Sequence, residues 1–129
     1  MKTVLIEGYT IEEILTLSSE EVGALIFTNN PIVFQVGSSE VLGQFRLLPG
    51  RLQIELAQID GGGEGVLLTL WRLTERFALL RRLTEVECIV HAVNCMQPNL
   101  KLQRVLQKRG FTIRDIPDLG EVYYYLHSL

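Results

Sequence analysis

The chain has 129 residues, of which 47% are hydrophobic and 21% are charged, and its formal net charge is −3. These values exclude a disordered chain, and the mild acidity disfavours general affinity for nucleic acid, which requires a basic surface. No apolar run approaches the roughly 18–20 residues of a membrane span, and the apolar start is too short for an export signal. We therefore expect one cytoplasmic domain over residues 1–129, with neither nucleic acid nor membrane as a partner.

The first half of the chain predicts two short helices followed by a β meander. Thr10 and Ser18 are each followed three residues later by a glutamate, which is the capping-box signature of a helix start. Residues 52–59 alternate between apolar and polar types, so one face of that strand is buried and the other presents Glu55. Four strands are predicted here, over residues 3–7, 31–36, 41–48 and 51–59.

The second half predicts alternating helices and strands. A helix over residues 65–83 follows the meander, and another helix ends at Gly110, which suits a left-handed C-cap. Residues 86–93 are almost all apolar, as in a central strand that is covered on both faces. The last two strands are predicted over 111–116 and 122–126. The apolar stripe of the first of these helices contains Leu67, Leu70, Trp71, Phe77, Leu80 and Leu83.

A glycine-rich loop between the meander and the long helix is the most informative segment for function. It reads Asp60-Gly61-Gly62-Gly63-Glu64-Gly65. Glycines let the backbone approach a ligand closely, and a helix start offers unpaired N–H groups and a positive dipole end. The segment therefore suits a phosphate group, although a flexible turn without a ligand would use the same residues.

Other reactive residues carry two readings each. His91, within the predicted strand 86–93, is either a hydrogen-bonded core histidine or a catalytic one. Cys88 and Cys95 lack a metal or redox spacing and are expected to be buried thiols. We expect no structural metal, because the sequence offers no set of ligands at a suitable spacing.

Two motifs resemble those of GNAT-type (Gcn5-related) acyltransferases. That family has a Gln or Arg, two free positions, Gly, one free position and Gly or Ala between its fourth strand and third helix. Here Gly63 and Gly65 occupy the two small positions. The family's next helix runs from an Asn to a Lys-x-Gly-Phe ending, as in Asn99 and the Lys108-Arg109-Gly110-Phe111 segment. The resemblance covers residues 51–129.

The resemblance implies an α+β (α/β) domain with a mixed, mostly antiparallel central sheet and helices on both faces. It also implies an acyl-CoA-dependent N-acyltransferase, with acetyl-CoA or another acyl-CoA as a substrate. The acceptor would be a small-molecule or peptide amine, and a homodimer is one option for its assembly. Glu55 is the candidate catalytic base, and the tyrosines at 123–125 could supply an acid. The cofactor-binding residues would be Asp60, Gly61, Gly62, Gly63, Glu64, Gly65, Val66 and Asn99.

Three departures from the family pattern favour an alternative function. Asp60 stands where Gln or Arg is usual, Glu64 adds a second carboxylate, and Leu106 replaces a frequent Tyr. A GNAT-like module that has lost catalysis and binds a protein or small ligand would tolerate all three. For Glu55 itself, the other reading is a solvated strand carboxylate. A STAS-like regulatory domain is a third reading, but the meander and the final strand pair count against it.

Overall fold

Four helices and eight strands make up the described part of the chain. The computed structural model describes residues 4–28, 30–36, 39–57, 63–93 and 100–129. The helices are α1 (Ile11–Leu15), α2 (Ser19–Leu25), α3 (Gly63–Leu80) and α4 (Leu100–Lys108). The strands are β1 (Val4–Ile6), β2 (Tyr9–Thr10), β3 (Ile32–Val36), β4 (Ser39–Leu48), β5 (Arg51–Ala57), β6 (Glu85–Val90), β7 (Thr112–Ile116) and β8 (Gly120–Ser128).

The eight strands form one mixed sheet in the order β2-β1-β3-β4-β5-β6-β8-β7. Only the β5–β6 pair is parallel among the paired strands described, and α3 connects these two strands. The expected mixed, mostly antiparallel sheet is confirmed. The strands before the glycine-rich loop and after the long helix, β5 and β6, are neighbours in this sheet. β2 is a short addition that the sequence did not predict.

Local sequence signals fix the ends of several elements. The Thr10 and Ser18 hydroxyls accept the backbone N–H groups of Glu13 and Glu21, and both capping boxes are complete. Gly50 has a φ of 69° in the turn between β4 and β5, a conformation that glycine adopts without a Cβ clash. These contacts explain why the two short helices and the hairpin were predictable.

The hydrophobic core lies on one face of the sheet, which we call the core face. The register pairs Ile54 of β5 with Phe45 of β4 and with Cys88 of β6, and all three are buried on that face. Each helix, or the residue that ends it, contributes to the same cluster. These contributions come from Ile14, Ile26, Leu67, Leu70, Leu73, Phe77, Ala78, Leu102 and Leu106.

The prediction that helices flank both faces is therefore wrong for the described residues. The connections β5–α3–β6 and β6–α4–β7 both join parallel strands and run toward the same edge of the sheet. Right-handed crossovers that run in one direction leave their helices on one face. Handedness thus explains why α3 and α4 pack on the same side.

The opposite face, which we call the polar face, carries charged and polar side chains. Val122 and Ile89 are also buried there, with 0% and 2% exposure, and neither belongs to the core cluster. The expected burial of the central strand on both faces is confirmed, because every residue of β6 after Glu85 is buried. The polar side chains of this face include Arg46, Arg51, Gln53, Glu55, Glu85, Glu87, His91 and Tyr124.

Some element boundaries and packing predictions differ from the structure. The long helix ends at Leu80, which is 67% exposed, so its place on the buried stripe was predicted wrongly. Leu80 lies in the last turn, at the margin of the stripe that Leu73 and Ala78 complete. Phe77 is buried as predicted, and Trp71 is half-buried against the core. β6 ends at residue 90, whereas the sequence predicted an end at residue 93. The predicted end of β5, at residue 59, lies outside the described residues.

Candidate functional site

A glutamate and a histidine meet at the carboxyl ends of the two parallel strands. Glu55 Oε2 lies 2.5 Å from His91 Nε2. The His91 N–H donates to the Leu56 carbonyl oxygen at 2.9 Å, which extends the β5–β6 pairing by one residue. This backbone bond holds the two side chains beside each other, although 36 residues separate them. His91 thus follows the strand and lies on the polar face, not in the core as one of the two readings expected.

Arg46 occupies the other oxygen of the same carboxylate. Its Nη1 donates to Glu55 Oε1 at 2.6 Å and to Gln53 Oε1 at 3.0 Å. The Glu55 side chain is only 15% exposed, so this residue is not the solvated strand carboxylate of its other reading. Burial raises the pKa of Glu55, but the hydrogen bonds from His91 and Arg46 outweigh burial and leave that pKa below its ordinary value. Glu55 is therefore held in its ionised form.

Gln53 links this group to a second carboxylate on the polar face. Its Nε2 donates to Glu87 Oε1 at 2.5 Å, while Arg51 Nη1 donates to Glu87 Oε2 at 3.1 Å. The Tyr124 hydroxyl also donates to Glu87 Oε2. Glu87 is 6% exposed, and three donors satisfy it. A continuous chain of hydrogen bonds thus runs from His91 to Tyr124 through side chains of four strands, β4, β5, β6 and β8.

The electrostatics of this second carboxylate indicate a structural role. Burial, and then the hydrogen bond to Glu87, raise the pKa of Tyr124 to about 12. The hydrogen bond with Glu85 raises the pKa of Arg51, against the opposing effect of burial. Tyr124 therefore stays neutral and Arg51 stays charged across the physiological pH range. Both side chains hold Glu87, which in turn orients Gln53 and Arg46.

A small cavity opens beside Arg46 and Glu55. Its volume is about 120 Å³. A larger cavity of about 240 Å³ lies between the first two helices and the end of α3, but its described lining is apolar except for Arg81. The small cavity is the better candidate site, because it alone of these two has Glu55 in its lining. The described residues that line it are Pro31, Leu42, Gly43, Gln44, Arg46, Glu55 and Ala57.

The predicted cofactor-binding residues fall partly outside the description. Asp60, Gly61, Gly62 and Asn99 lie outside the described residues. The other four, Gly63, Glu64, Gly65 and Val66, form the first turn of α3, which begins two residues earlier than predicted. Their assignment to a phosphate group stays a prediction. Ala57 is the last described residue before the loop, and up to Leu56 the two parallel strands remain paired.

The consecutive tyrosines divide between the two faces. Tyr123 is buried in the core, and Tyr125 stacks on Phe111 and contacts Trp71 edge-to-face. Two of the three tyrosines, Tyr123 and Tyr125, therefore serve packing. Tyr124 alone of the three faces the polar side. Of the two cysteines, Cys88 is a buried thiol as predicted, and burial raises its pKa; Cys95 lies outside the described residues.

Arg46 and Glu87 are site residues that the sequence did not single out. Each occupies an alternate position of a strand, which is the only local signal that it faces the same side as Glu55. The strand register brings them together, because Gln53 of β5 pairs with Arg46 of β4 on one side and with Glu87 of β6 on the other. A strand shifted by one residue would turn these groups toward the core.

No family model matches the chain, and no curated protein matches it significantly. Of the helices described here, none combines the length and the apolar character needed to cross a membrane. Across the described ranges, no three His, Cys, Asp or Glu side chains gather in a group that could hold a metal ion.

Proposed function

We propose that this chain is a divergent GNAT-type N-acyltransferase, which transfers an acyl group from acyl-CoA to an amine. Acetyl is the acyl group that we propose first. The observation that carries the proposal is the Glu55–His91 pair at the carboxyl ends of the parallel strands. The glycine-rich connection leaves β5 at that same end and leads into α3. A proton acceptor and a phosphate-binding segment would therefore lie at one edge of the sheet.

The order of the elements supports the proposal. A strand, two helices, a three-stranded meander, a helix, a strand, a helix and two strands follow one another, apart from the short β2. This is the order that the sequence pattern predicted. The parallel pair brackets the glycine-rich segment, which is where the family motif lies in the sequence.

The proposed reaction requires one proton acceptor. The amine nitrogen attacks the thioester carbonyl, the new C–N bond forms as the C–S bond breaks, and the released thiolate takes up a proton. The amine loses one proton, directly or through water. The Glu55–His91 pair can accept that proton, since Glu55 Oε2 lies 2.5 Å from His91 Nε2. Imidazole suits this step because it changes charge near neutral pH.

One observation favours a binding module without catalysis as the second candidate. Both oxygens of Glu55 already accept a hydrogen bond, and its lowered pKa makes it a weaker base. Asp60 and Glu64 also place negative charge next to the expected pyrophosphate. In this alternative the same cavity holds a ligand, and no acyl group is transferred.

Titration calorimetry with CoA distinguishes the two candidates. Asp60→Arg removes a repelling carboxylate and adds a cation, so we expect tighter CoA binding and a gain that shrinks as salt is raised. Asp115→Arg is the matched control, because it makes the same charge change at an exposed position on β7 and should bring no gain. Glu55→Gln should keep the CoA affinity of the parent and lose acetyl transfer by about 10²–10⁴-fold.

A flat titration at millimolar CoA for both the parent and Asp60→Arg, with both proteins folded, would overturn the transferase proposal and leave the binding module. CoA binding by the parent without transfer to any amine would favour that module as well. Acetyl transfer that is unchanged in Glu55→Gln would remove the proposed role of the Glu55–His91 pair.

A further inference from the structure

The walls of the 120 Å³ cavity carry two opposite charges in direct contact. Arg46 Nη1 and Glu55 Oε1 are 2.6 Å apart, and both residues line the cavity. The Arg46 side chain is 34% exposed and the Glu55 side chain 15%, so Arg46 is the more accessible of the two. A ligand in this cavity therefore meets a cation and an anion side by side.

Arg46 keeps donors for a further acceptor. Toward the described residues it donates through Nη1 alone, to Gln53 and to Glu55. A guanidinium has five N–H donors, and those on Nε and Nη2 suit a carboxylate, which accepts two parallel hydrogen bonds from this fork. Arg46 can bind an anion while it retains its contact with Glu55.

A simple amine is poorly matched to this cavity. An ammonium group that reaches Glu55 also comes close to the Arg46 guanidinium, and like charges at that range repel. A ligand that brings its own carboxylate removes this penalty, because its carboxylate faces Arg46 while its amine faces Glu55. The four charges then alternate in sign.

The spacing and the size of the cavity restrict the ligand further. In an α-amino acid the amine and the carboxylate are attached to the same carbon, so they lie as close together as the heads of Arg46 and Glu55. A volume of about 120 Å³ is well below the roughly 300–1,000 Å³ of pockets for drug-sized ligands. The remaining wall includes Pro31, Leu42 and Ala57, which suit a short apolar side chain.

We propose that the cavity beside Arg46 and Glu55 binds a free α-amino acid with a short apolar side chain, as the amine acceptor. This rests on the proposed function, since it takes the cavity as the acceptor site. Arg46 is the residue that determines specificity, because it selects a carboxylate-bearing amine over other amines. A peptide amine lacks the adjacent carboxylate and is disfavoured.

The test compares four ligands on the full chain by titration calorimetry without CoA. L-valine carries both groups, isobutylamine lacks the carboxylate, valinamide blocks it, and N-acetyl-L-valine blocks the amine. We expect L-valine to bind about 10- to 100-fold more tightly than each of the other three. Arg46→Gln should weaken L-valine binding by a similar factor, and Arg46→Lys by less, since lysine keeps the charge but not the fork.

Arg114→Gln is the matched control. It removes the same charge from the polar face at β7, where Arg114 lies over the Tyr124 ring at 4.4 Å, outside the lining of the cavity. The affinity of the Arg114→Gln protein for L-valine should stay within about twofold of the affinity of the parent. If Arg46→Gln does not fold, Arg46→Lys and the four-ligand comparison on the parent still decide the question.

Equal binding of L-valine, isobutylamine and valinamide would overturn the amino-acid assignment, as would the absence of L-valine binding. Because CoA binding is measured separately, the two proposals fail separately. A protein that binds CoA but not L-valine keeps the transferase proposal and loses this one. The protein could also bind L-valine in an Arg46-dependent way and show no CoA binding. That result would support the amino-acid site in a binding module.

Discussion

On the core face of the sheet, four phenylalanine rings meet edge-to-face, whereas on the polar face the same strands carry a chain of hydrogen-bonded charges. The rings form four contacting pairs whose centroids are 5.8 to 6.2 Å apart, and the residues are Phe27, Phe34, Phe45 and Phe77. Across β5 and its neighbours, the polar side chains meet at 2.5 to 3.2 Å instead. One face is held by many weak, non-directional contacts and the other by a few directional ones.

The difference bears on stability and on function. Apolar burial adds up with area and tolerates small displacements, so the core face supplies most of the free energy of unfolding. A buried polar network contributes little net free energy, but removal of one partner leaves the others unsatisfied. We infer that the core face maintains the fold, while the polar face fixes the orientation of Arg46, Glu55 and His91.

The largest expected effect is on the core face. Phe45→Ala removes a fully buried ring that contacts three others, and should lower the free energy of unfolding by about 3–5 kcal/mol, as measured by urea denaturation. Ile113→Ala is the control, because this residue is 49% exposed on the edge strand, and its change should stay within about 0.5 kcal/mol. Similar losses for both variants would contradict the assignment of the core to this face.

A smaller loss is expected at the centre of the polar face. Glu87→Gln turns an acceptor toward three donors into an amide, so one NH₂ group must face Arg51, Gln53 or Tyr124. We expect a loss of about 1–3 kcal/mol in the free energy of unfolding. Glu121→Gln neutralises an exposed carboxylate on β8 and should cost no more than about 0.5 kcal/mol. Equal effects of the two substitutions would mean that the network is no more than a solvated surface.

Much of the core face was predictable because its signals are local. The alternation of Leu52, Ile54 and Leu56 reports a strand with one buried face, and the capping boxes mark the helix starts. The side on which the helices pack is different. It depends on the handedness and direction of two crossovers, whereas the apolar run of β6 predicts only that both faces of this strand are covered.

The polar face was predictable only in part. The sequence places Glu55 on the polar side of its strand, but its partners come from β4 and from the end of β6. These contacts exist only in one register of three strands, and no local pattern encodes that register. His91 looked like a core residue for the same reason, since it continues an apolar run by one position beyond the last strand residue.

The smallest and most specific effect is the response of the polar face to alkaline pH. Tyr124 has a folded-state pKa of about 12 against an ordinary value of 10.0, chiefly through burial and then through its hydrogen bond to Glu87. Its neutral form is favoured in the folded state, so its stabilising contribution is complete below about pH 10. Between pH 10 and 12 the unfolded chain binds fewer protons than the folded chain, and stability must fall. Urea unfolding of the parent and of Tyr124→Phe from pH 9 to 12 isolates this contribution, because other groups titrate in both proteins. We expect the stability advantage of the parent at pH 9 to shrink steadily toward pH 12. A difference that stays constant over this range would show that the Tyr124 hydroxyl is solvated and that the network ends at Glu87.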